Sequence, residues 1–167
     1  MKFELVEPGW GKELLVATNK FFSSESISWL VPILADGVVL TYPFLLVWFY
    51  YKGGLHNQNY KKAALMVFFG VVVAISITLL IQQFVNKTRP EDFLDKNLIL
   101  LDHLPSVSFP SDHATVGFAL AFGLLFATKK LQDKLIWLLG WIFLFLAAAM
   151  SISRIGAGVH RPTDILA

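Results

Sequence analysis

The sequence contains no cysteine, which excludes a disulfide framework and a metal site built on thiolates. Charged residues make up only 16% of the chain, whereas a soluble globular domain usually carries about 25%. The formal net charge of +2 is too small to indicate a nucleic-acid partner. We also expect no signal peptide, because charged and apolar residues alternate at the N-terminus and leave no continuous apolar segment. What remains is a chain in which 56% of the residues are hydrophobic, as expected of an integral membrane protein.

Four long apolar stretches indicate membrane-spanning helices, each of which needs roughly 20 apolar residues. The predicted spans are Ile27–Tyr51, Ala63–Ile81, Ala114–Thr128 and Leu135–Ile152. The third is short unless its helix begins within residues 110–113. We therefore predict an all-α fold, a polytopic helix bundle that forms a single domain over residues 1–167.

The two ends of the chain carry further helical signals. Trp10–Ser24 mixes charged with apolar residues, which predicts an amphipathic helix that either lies on the membrane surface or covers the bundle. Pro162–Ala167 resembles the first turn of a fifth span. We therefore expect the natural protein to continue for roughly 20 more apolar residues.

Lysines cluster in two short connections, at residues 52–62 and 129–134. Lysine near helix ends marks the cytoplasmic side of a membrane protein, and two spans separate these connections, so both lie on one side. The N-terminus, residues 86–109 and the segment after residue 153 then face outward. A cysteine placed at Asn57 should resist a membrane-impermeant thiol reagent, whereas one at Asn97 should react.

The unusual polar residues fall into three blocks, all on the predicted outward side. They are Asn86–Pro90 at the end of the second span, Phe109–His113 at the start of the third, and Ser153–Asp164 after the fourth. Three helix ends thus bring two histidines, several basic residues and an aspartate to one membrane surface. A site that acts on a lipid headgroup requires such a convergence.

The third block has the spacing of a nucleophile and its partner. Asp164 lies one turn beyond His160 if a helix begins near Pro162, so its carboxylate can accept a hydrogen bond from one ring nitrogen and activate the other. Gly156 and Gly158 permit a sharp turn and a close backbone approach.

Arg154, Ser111 and His113 complete a possible phosphate site. The guanidinium group of Arg154 matches phosphate oxygens, Ser111 can donate a hydroxyl hydrogen bond, and His113 can protonate a leaving group. Each residue also has an ordinary explanation, because arginines anchor helix ends at interfaces and Ser111 or Asp112 can cap a helix. Taken together, the residue types and their spacing across the three blocks favour a phosphate-binding active site over these ordinary explanations.

At these residues the sequence resembles the phosphatidic acid phosphatase type 2 superfamily of lipid-phosphate phosphatases. The pattern Pro-Ser-x-His is complete at Pro110–His113, and the pattern Ser-Arg, five residues, His, three residues, Asp is complete at Ser153–Asp164. The pattern Lys, six residues, Arg-Pro keeps Arg89-Pro90 but has Gln82 at the lysine position. Lys87 is near, but on a continuous helix it would point about 140° away from Gln82.

The resemblance implies a chemistry and a set of residues. His160 would form a covalent phosphohistidine, oriented by Asp164, and His113 would act as general acid and then as general base. The residues implied at the substrate phosphate are Arg89, Ser111, Arg154, Asp112 and Gln82. No metal or other cofactor would be needed, because basic side chains neutralise the transition-state charge.

Within that superfamily, Phe109–Thr115 looks most like the bacterial undecaprenyl pyrophosphate phosphatases. The resemblance implies a lipid phosphate as the substrate and an outward-facing site in a bacterial plasma membrane. Two alternatives stay open, a phosphatase for phosphatidic acid or phosphatidylglycerol phosphate, and a non-enzymatic transporter or scaffold subunit. Asp36 supports the transporter alternative, because an acidic residue inside a span is a functional candidate. The same residue can also serve as a polar contact between helices. A transporter would place its key polar residues near the bilayer midplane, whereas the polar blocks here lie at the predicted outward ends of the helices.

Overall fold

The computed structural model describes residues 3–55, 58–87, 89–90, 94, 98–101 and 107–166. In this part of the chain, four helices are long and apolar enough to cross a membrane, namely Ser28–Gly54, Gln58–Phe84, Asp112–Leu131 and Lys134–Gly156. They confirm the four predicted spans and the all-α bundle. The third is long enough because it begins at Asp112, inside the Pro-Ser-Asp-His motif. Asn57 and Asn97, the two positions of the labelling prediction, lie outside the described residues.

The elements follow one another in a simple order. They are β1 (Phe3–Glu4), α1 (Gly9–Phe22), α2 (Val38–Leu55), α3 (Gln58–Phe84), β2 (Val85–Asn86), α4 (Asp112–Leu131), α5 (Lys134–Gly156) and α6 (Pro162–Ile165). A 3₁₀ turn at Ser28–Leu30 and a π-helical turn at Ile33–Gly37 precede α2 within the first span.

Consecutive spanning helices pack against one another, α2 on α3, α3 on α4 and α4 on α5. Their shared core includes the fully buried side chains Phe49, Val67, Leu120, Leu124 and Met150. Other apolar side chains of the same helices stay exposed, such as Phe44 at 75% and Phe145 at 74%. A helix that is apolar both inside and outside is expected where lipid replaces water as the solvent.

The amphipathic helix α1 covers one end of the bundle. It buries Gly11, Leu15, Asn19 and Phe22, which lie on one face. The side-chain amide of Asn19 donates hydrogen bonds to the carbonyl oxygens of Gly156, at 2.8 Å, and Leu98, at 2.7 Å. The predicted helix at Trp10–Ser24 is therefore present, and this face packs on the bundle.

Two short strands form a parallel pair that joins the N-terminus to the end of the second span. Phe3 pairs with Val85 and Glu4 with Asn86, and the amide of Leu5 donates to the carbonyl of Asn86 at 3.3 Å. This pairing keeps the backbone extended after α3.

Two details of the predicted organisation are wrong. Lys87 does not continue the helix of Gln82, because α3 ends at Phe84 and β2 follows. The last block does not follow the fourth span, because α5 continues to Gly156 and includes Ser153 and Arg154 in its last turn.

Candidate active site

The three polar blocks meet at one end of the bundle. The amide of Ser111 donates to the carbonyl of Asp164 at 2.9 Å, which joins the second block to the third. Nη1 of Arg89 donates to the carbonyl of Val159 at 2.8 Å, which joins the first block to the third. The convergence predicted from the sequence is therefore present.

His160 and Asp164 lie side by side, as their spacing predicts. His160 Nδ1 is 3.5 Å from Asp164 Oδ2, within ion-pair range but longer than a hydrogen bond. Both residues are buried, at 3% and 1% exposure. Helix α6 begins at Pro162, and the backbone amide of Arg161 donates to Asp164 Oδ2 at 2.7 Å. Ser108 donates its hydroxyl to the same oxygen.

The surroundings favour the neutral form of His160 and the ionised form of Asp164. Burial lowers the pKa of His160, and the guanidinium groups of Arg154 and Arg89 lower it further, while Asp164 acts in the opposite direction. Burial alone would raise the pKa of Asp164, but contacts from His160, Lys87 and Ser108 outweigh that effect and the pKa of the carboxyl is lowered. A neutral imidazole beside a carboxylate is the form that a histidine nucleophile needs.

Gly158 makes the turn that precedes this pair. Its φ of 76° lies in the left-handed region, where glycine carries no steric penalty, so the predicted turn is confirmed there. Gly156 instead ends α5, and it permits a close approach by Phe22.

Arg154, His113 and Asp36 form a second cluster. Nη1 of Arg154 donates to Asp36 Oδ1 and, at 3.3 Å, to the carbonyl of Ala35. His113 Nε2 lies 3.4 Å from the same Asp36 oxygen. Asp36 belongs to the π-helical turn, a rare geometry that is frequent at functional sites. One anionic oxygen thus lies between a guanidinium group and an imidazole.

Several buried polar atoms in this region lack a hydrogen-bond partner among the described residues, and two of them are donors suited to an anionic ligand. Among the described residues, neither Ser111 Oγ nor Arg154 Nε has a hydrogen-bond partner. Leaving a buried polar group unsatisfied costs about 1–3 kcal/mol. Phosphoryl oxygens would satisfy both.

Gln82 and Asp112 contact each other at the edge of the site. Gln82 Nε2 donates to Asp112 Oδ1 at 2.8 Å and to the carbonyl of Pro110 at 3.1 Å. The neutral amide therefore fixes the start of α4. The contact of Gln82 and Asp112 with the substrate phosphate stays a prediction.

Three residues that were not among the predicted site residues surround Asp164 or its partner Lys87, namely Lys87 itself, Ser108 and Glu7. Lys87 Nζ lies 2.6 Å from Asp164 Oδ1 and 2.9 Å from Glu7 Oε2. Ser108 contacts the other carboxylate oxygen. Lys87 and Ser108 stand close to recognised motifs in sequence, but Glu7 is brought here by the pairing of β1 with β2, which no local pattern predicts.

In the described part of the chain, no group of three or more His, Cys, Asp or Glu side chains is arranged to hold a metal ion. Among the described residues, the guanidinium groups of Arg154 and Arg89 act on His160, and the ammonium group of Lys87 contacts Asp164.

Comparison with known proteins supports the motif assignment. The profile of the PAP2 superfamily matches residues 63–167. The bacitracin transport permease protein BcrC of Bacillus licheniformis is 41% identical over 68 residues, 41% of this chain and 30% of the relative. The undecaprenyl-diphosphatase BcrC of Bacillus subtilis is 25% identical over 135 residues, 80% of this chain and 63% of the relative.

The chain spans less than two thirds of the length of these two relatives. A solved structure, a transmembrane PAP2-type phosphatidylglycerolphosphate phosphatase from Bacillus subtilis, aligns with 96% of this chain and 70% of its own. The two share 20% sequence identity with a TM-score of 0.46.

Proposed function

We propose that this chain, which belongs to the PAP2 superfamily, is a membrane phosphatase that hydrolyses undecaprenyl pyrophosphate through a phosphohistidine. The observation that carries the proposal is the buried His160–Asp164 pair, in which His160 Nδ1 lies 3.5 Å from Asp164 Oδ2. A related undecaprenyl-diphosphatase matches 80% of this chain and supports the choice of substrate.

In the first displacement, Nε2 of His160 attacks the terminal phosphorus. The bond between that phosphorus and the bridging oxygen breaks, and undecaprenyl phosphate leaves. Asp164 faces Nδ1 and stabilises the positive charge that the ring acquires. His113, on the start of α4, donates a proton to the departing oxygen.

In the second displacement, His113 accepts a proton from water and the resulting hydroxide attacks the phosphohistidine. The nitrogen–phosphorus bond breaks, inorganic phosphate leaves, and His160 returns to its neutral form. The two histidines lie on different elements, α4 and the turn before α6, so that they can flank one phosphorus atom.

Arg89, Ser111 and Arg154 hold the phosphoryl oxygens in this proposal. The unpartnered Ser111 Oγ and Arg154 Nε supply donors that are fixed before substrate arrives. Fixed donors stabilise transition-state charge without reorganisation. Asp112 and Gln82 act at the edge of the same site.

We place the site on the outer face of a bacterial plasma membrane, where spent carrier lipid is released as a pyrophosphate. Phosphatidic acid and phosphatidylglycerol phosphate are the alternative substrates. A transport role has one point in its favour, the name of the relative from Bacillus licheniformis. Against it, the polar clusters lie at helix ends, whereas transporters bind their cargo near the bilayer midplane.

A substrate panel tests the proposal. Phosphate release should be fastest from undecaprenyl pyrophosphate when it is compared with phosphatidic acid and phosphatidylglycerol phosphate in detergent. His160→Ala should abolish release and any trapped phosphoenzyme, whereas His113→Ala should accumulate phosphohistidine from a substrate with a good leaving group. Phosphate trapped on a His160→Ala protein would contradict the mechanism, and no release from any lipid would favour the transport role.

A further inference from the structure

A buried charge cluster lies behind the catalytic pair, on the far side of Asp164 from His160. Its charged members are Glu7, Lys87 and Asp164, whose side chains are at most 1% exposed. The hydroxyl of Thr163 accepts a hydrogen bond from Lys87 and donates one to Glu7. These contacts connect the N-terminal segment to the nucleophile.

We propose that Glu7 and Lys87 are positioning residues for the nucleophile, and that together they leave the cluster with one net negative charge facing His160. Lys87 holds Asp164 in place as a carboxylate. Glu7 offsets the charge of Lys87, so that Asp164 keeps its full effect on the imidazole. This inference rests on the proposed role of His160.

The geometry makes Lys87 a shared partner. Its ammonium group lies 2.6 Å from Asp164 Oδ1 and 2.9 Å from Glu7 Oε2. A buried charge without a partner is strongly destabilising, so Lys87 needs one carboxylate beside it. Asp164 alone would meet that need. A second buried carboxylate on the same ammonium makes the sum of the three charges negative.

The excess negative charge matches the chemistry of the first displacement. When Nε2 of His160 bonds to phosphorus, the ring keeps its proton on Nδ1 and becomes cationic. The cluster with the cationic ring is then neutral overall. Charge that is placed in advance where the transition state develops its opposite lowers the barrier.

The N-terminal fold is built to bring Glu7 to this place. Because Glu4 pairs with Asn86, Glu7 lies three residues and Lys87 one residue beyond the same pair. A side chain at Gly11 would meet Glu7, because a Cβ there would lie 2.0 Å from Oε1. Gly11 therefore leaves the space that the buried carboxylate occupies.

Other charged groups also surround His160, including the buried Arg161 next to it in the chain, and the test leaves them unchanged. Arg154 on α5 and Arg89 after β2 lower the pKa of His160, and Asp164 on α6 raises it. His113 on α4 is close enough to interact electrostatically with His160. Shifts produced by changing Glu7 or Lys87 are therefore measured against a constant background.

The test is the pH at which His160 loses its proton, followed in two ways in the full-length protein. One is the acid limb of kcat for lipid pyrophosphate hydrolysis, and the other is the NMR titration of the imidazole. Glu7→Gln leaves Lys87 less compensated, so the pKa of His160 and the acid limb should move to lower pH. Lys87→Met leaves two uncompensated carboxylates, so the pKa of His160 and the acid limb should both move to higher pH.

The double variant separates charge from architecture. Glu7→Gln combined with Lys87→Met restores one net negative charge, so the acid limb should return close to its wild-type position. Glu7→Gln alone should lower kcat by about tenfold with little change in KM, because the loss is confined to the transition state. Glu4→Gln, on exposed β1, is the matched control and should leave both measurements unchanged.

The outcomes distinguish this inference from the proposed function. Opposite NMR shifts in a protein without phosphatase activity would overturn the function and keep the charge role. An active wild type whose single variants shift in the same direction, or not at all, would overturn the inference. If a single variant fails to fold, the double variant provides the test. An acid limb of kcat that moves away from its wild-type position in a folded double variant would also overturn the inference.

Discussion

The carboxylate of Asp36 occupies a position that suits a phosphoryl oxygen. Its Oδ1 accepts a hydrogen bond from Arg154 and lies 3.4 Å from His113 Nε2. A dianionic ligand that enters this site must compete with that oxygen for both groups. The side chain is 48% exposed, so solvent screening limits the repulsion.

We therefore predict that Asp36→Asn strengthens inhibition by vanadate. Removing one like charge from a partly exposed site should lower the inhibition constant by about three- to tenfold, equivalent to ~1 kcal/mol. The measurement is vanadate inhibition of phosphate release at constant pH. Asp133→Asn, at the start of α5, is the control and should change nothing. Weaker inhibition of Asp36→Asn would instead show that the carboxylate supports ligand binding.

Gln82 and Arg154 should differ in how much they contribute to activity. Gln82 is a neutral amide that is already bonded to Pro110 and Asp112, so Gln82→Ala should lower kcat/KM by less than about tenfold. Arg154 is a buried charge with a free Nε, and Arg154→Ala should lower it by about 10³-fold or more. The comparison uses kcat/KM for one lipid substrate in detergent. Equal large losses would make Gln82 a full member of the phosphate site.

Local chemistry explains which site residues the sequence could reveal. His160 and Asp164 are four residues apart beside a helix-starting proline, so their contact follows from helical geometry alone. Lys87 and Glu7 are 80 residues apart, and their contact depends on a strand pair of two residues on each side. Such a short pairing has no periodic signal.

The length of the hydrophobic stretches predicts the spanning helices but not where each helix ends. Each predicted apolar stretch lies largely within an observed helix. The ends differ because polar residues continue the helices, as Ser153 and Arg154 do in α5. The π-helical turn at Ile33–Gly37 has the same apolar composition as the α-helix that follows, so composition does not distinguish them.

The contact between α1 and α5 depends on a glycine. A Cβ at Gly156 would lie 2.3 Å from Cδ2 of Phe22, so Gly156→Ala must separate the two helices. Overpacking of this kind costs about 1–3 kcal/mol, and we expect a lower Tm in detergent together with reduced activity.

Gly70→Ala is the matched control, because a Cβ there meets nothing within 4 Å. It lies within α3, where alanine is favoured over glycine by about 1 kcal/mol, so its Tm should stay the same or rise. An unchanged Tm for Gly156→Ala would show that α1 adjusts its position without cost.

The two ends of the bundle differ in the kind of polar residues that they carry. The end with the motif blocks buries charges in specific contacts. The opposite end carries lysines next to aromatic rings, with Lys52 Nζ 4.7 Å from the ring centre of Trp48 and 4.6 Å from that of Tyr60. Aromatic rings and lysines concentrate at membrane interfaces, and lysines favour the cytoplasmic side. Arg89 and Arg154 at the motif end are buried and bond to Val159 and Asp36, so they do not act as interface anchors.

This asymmetry predicts how the protein is oriented in the membrane. Because the chain has no native cysteine, a single introduced cysteine reports one position. Val6 is 87% exposed at the motif end, and Lys62 is exposed at the start of α3. Val6→Cys should react with a membrane-impermeant thiol reagent in intact cells, whereas Lys62→Cys should react only after permeabilisation. Equal labelling after permeabilisation controls for local reactivity. The reverse pattern in intact cells would place the site on the cytoplasmic face, where a pyrophosphate released at the outer leaflet could not reach it.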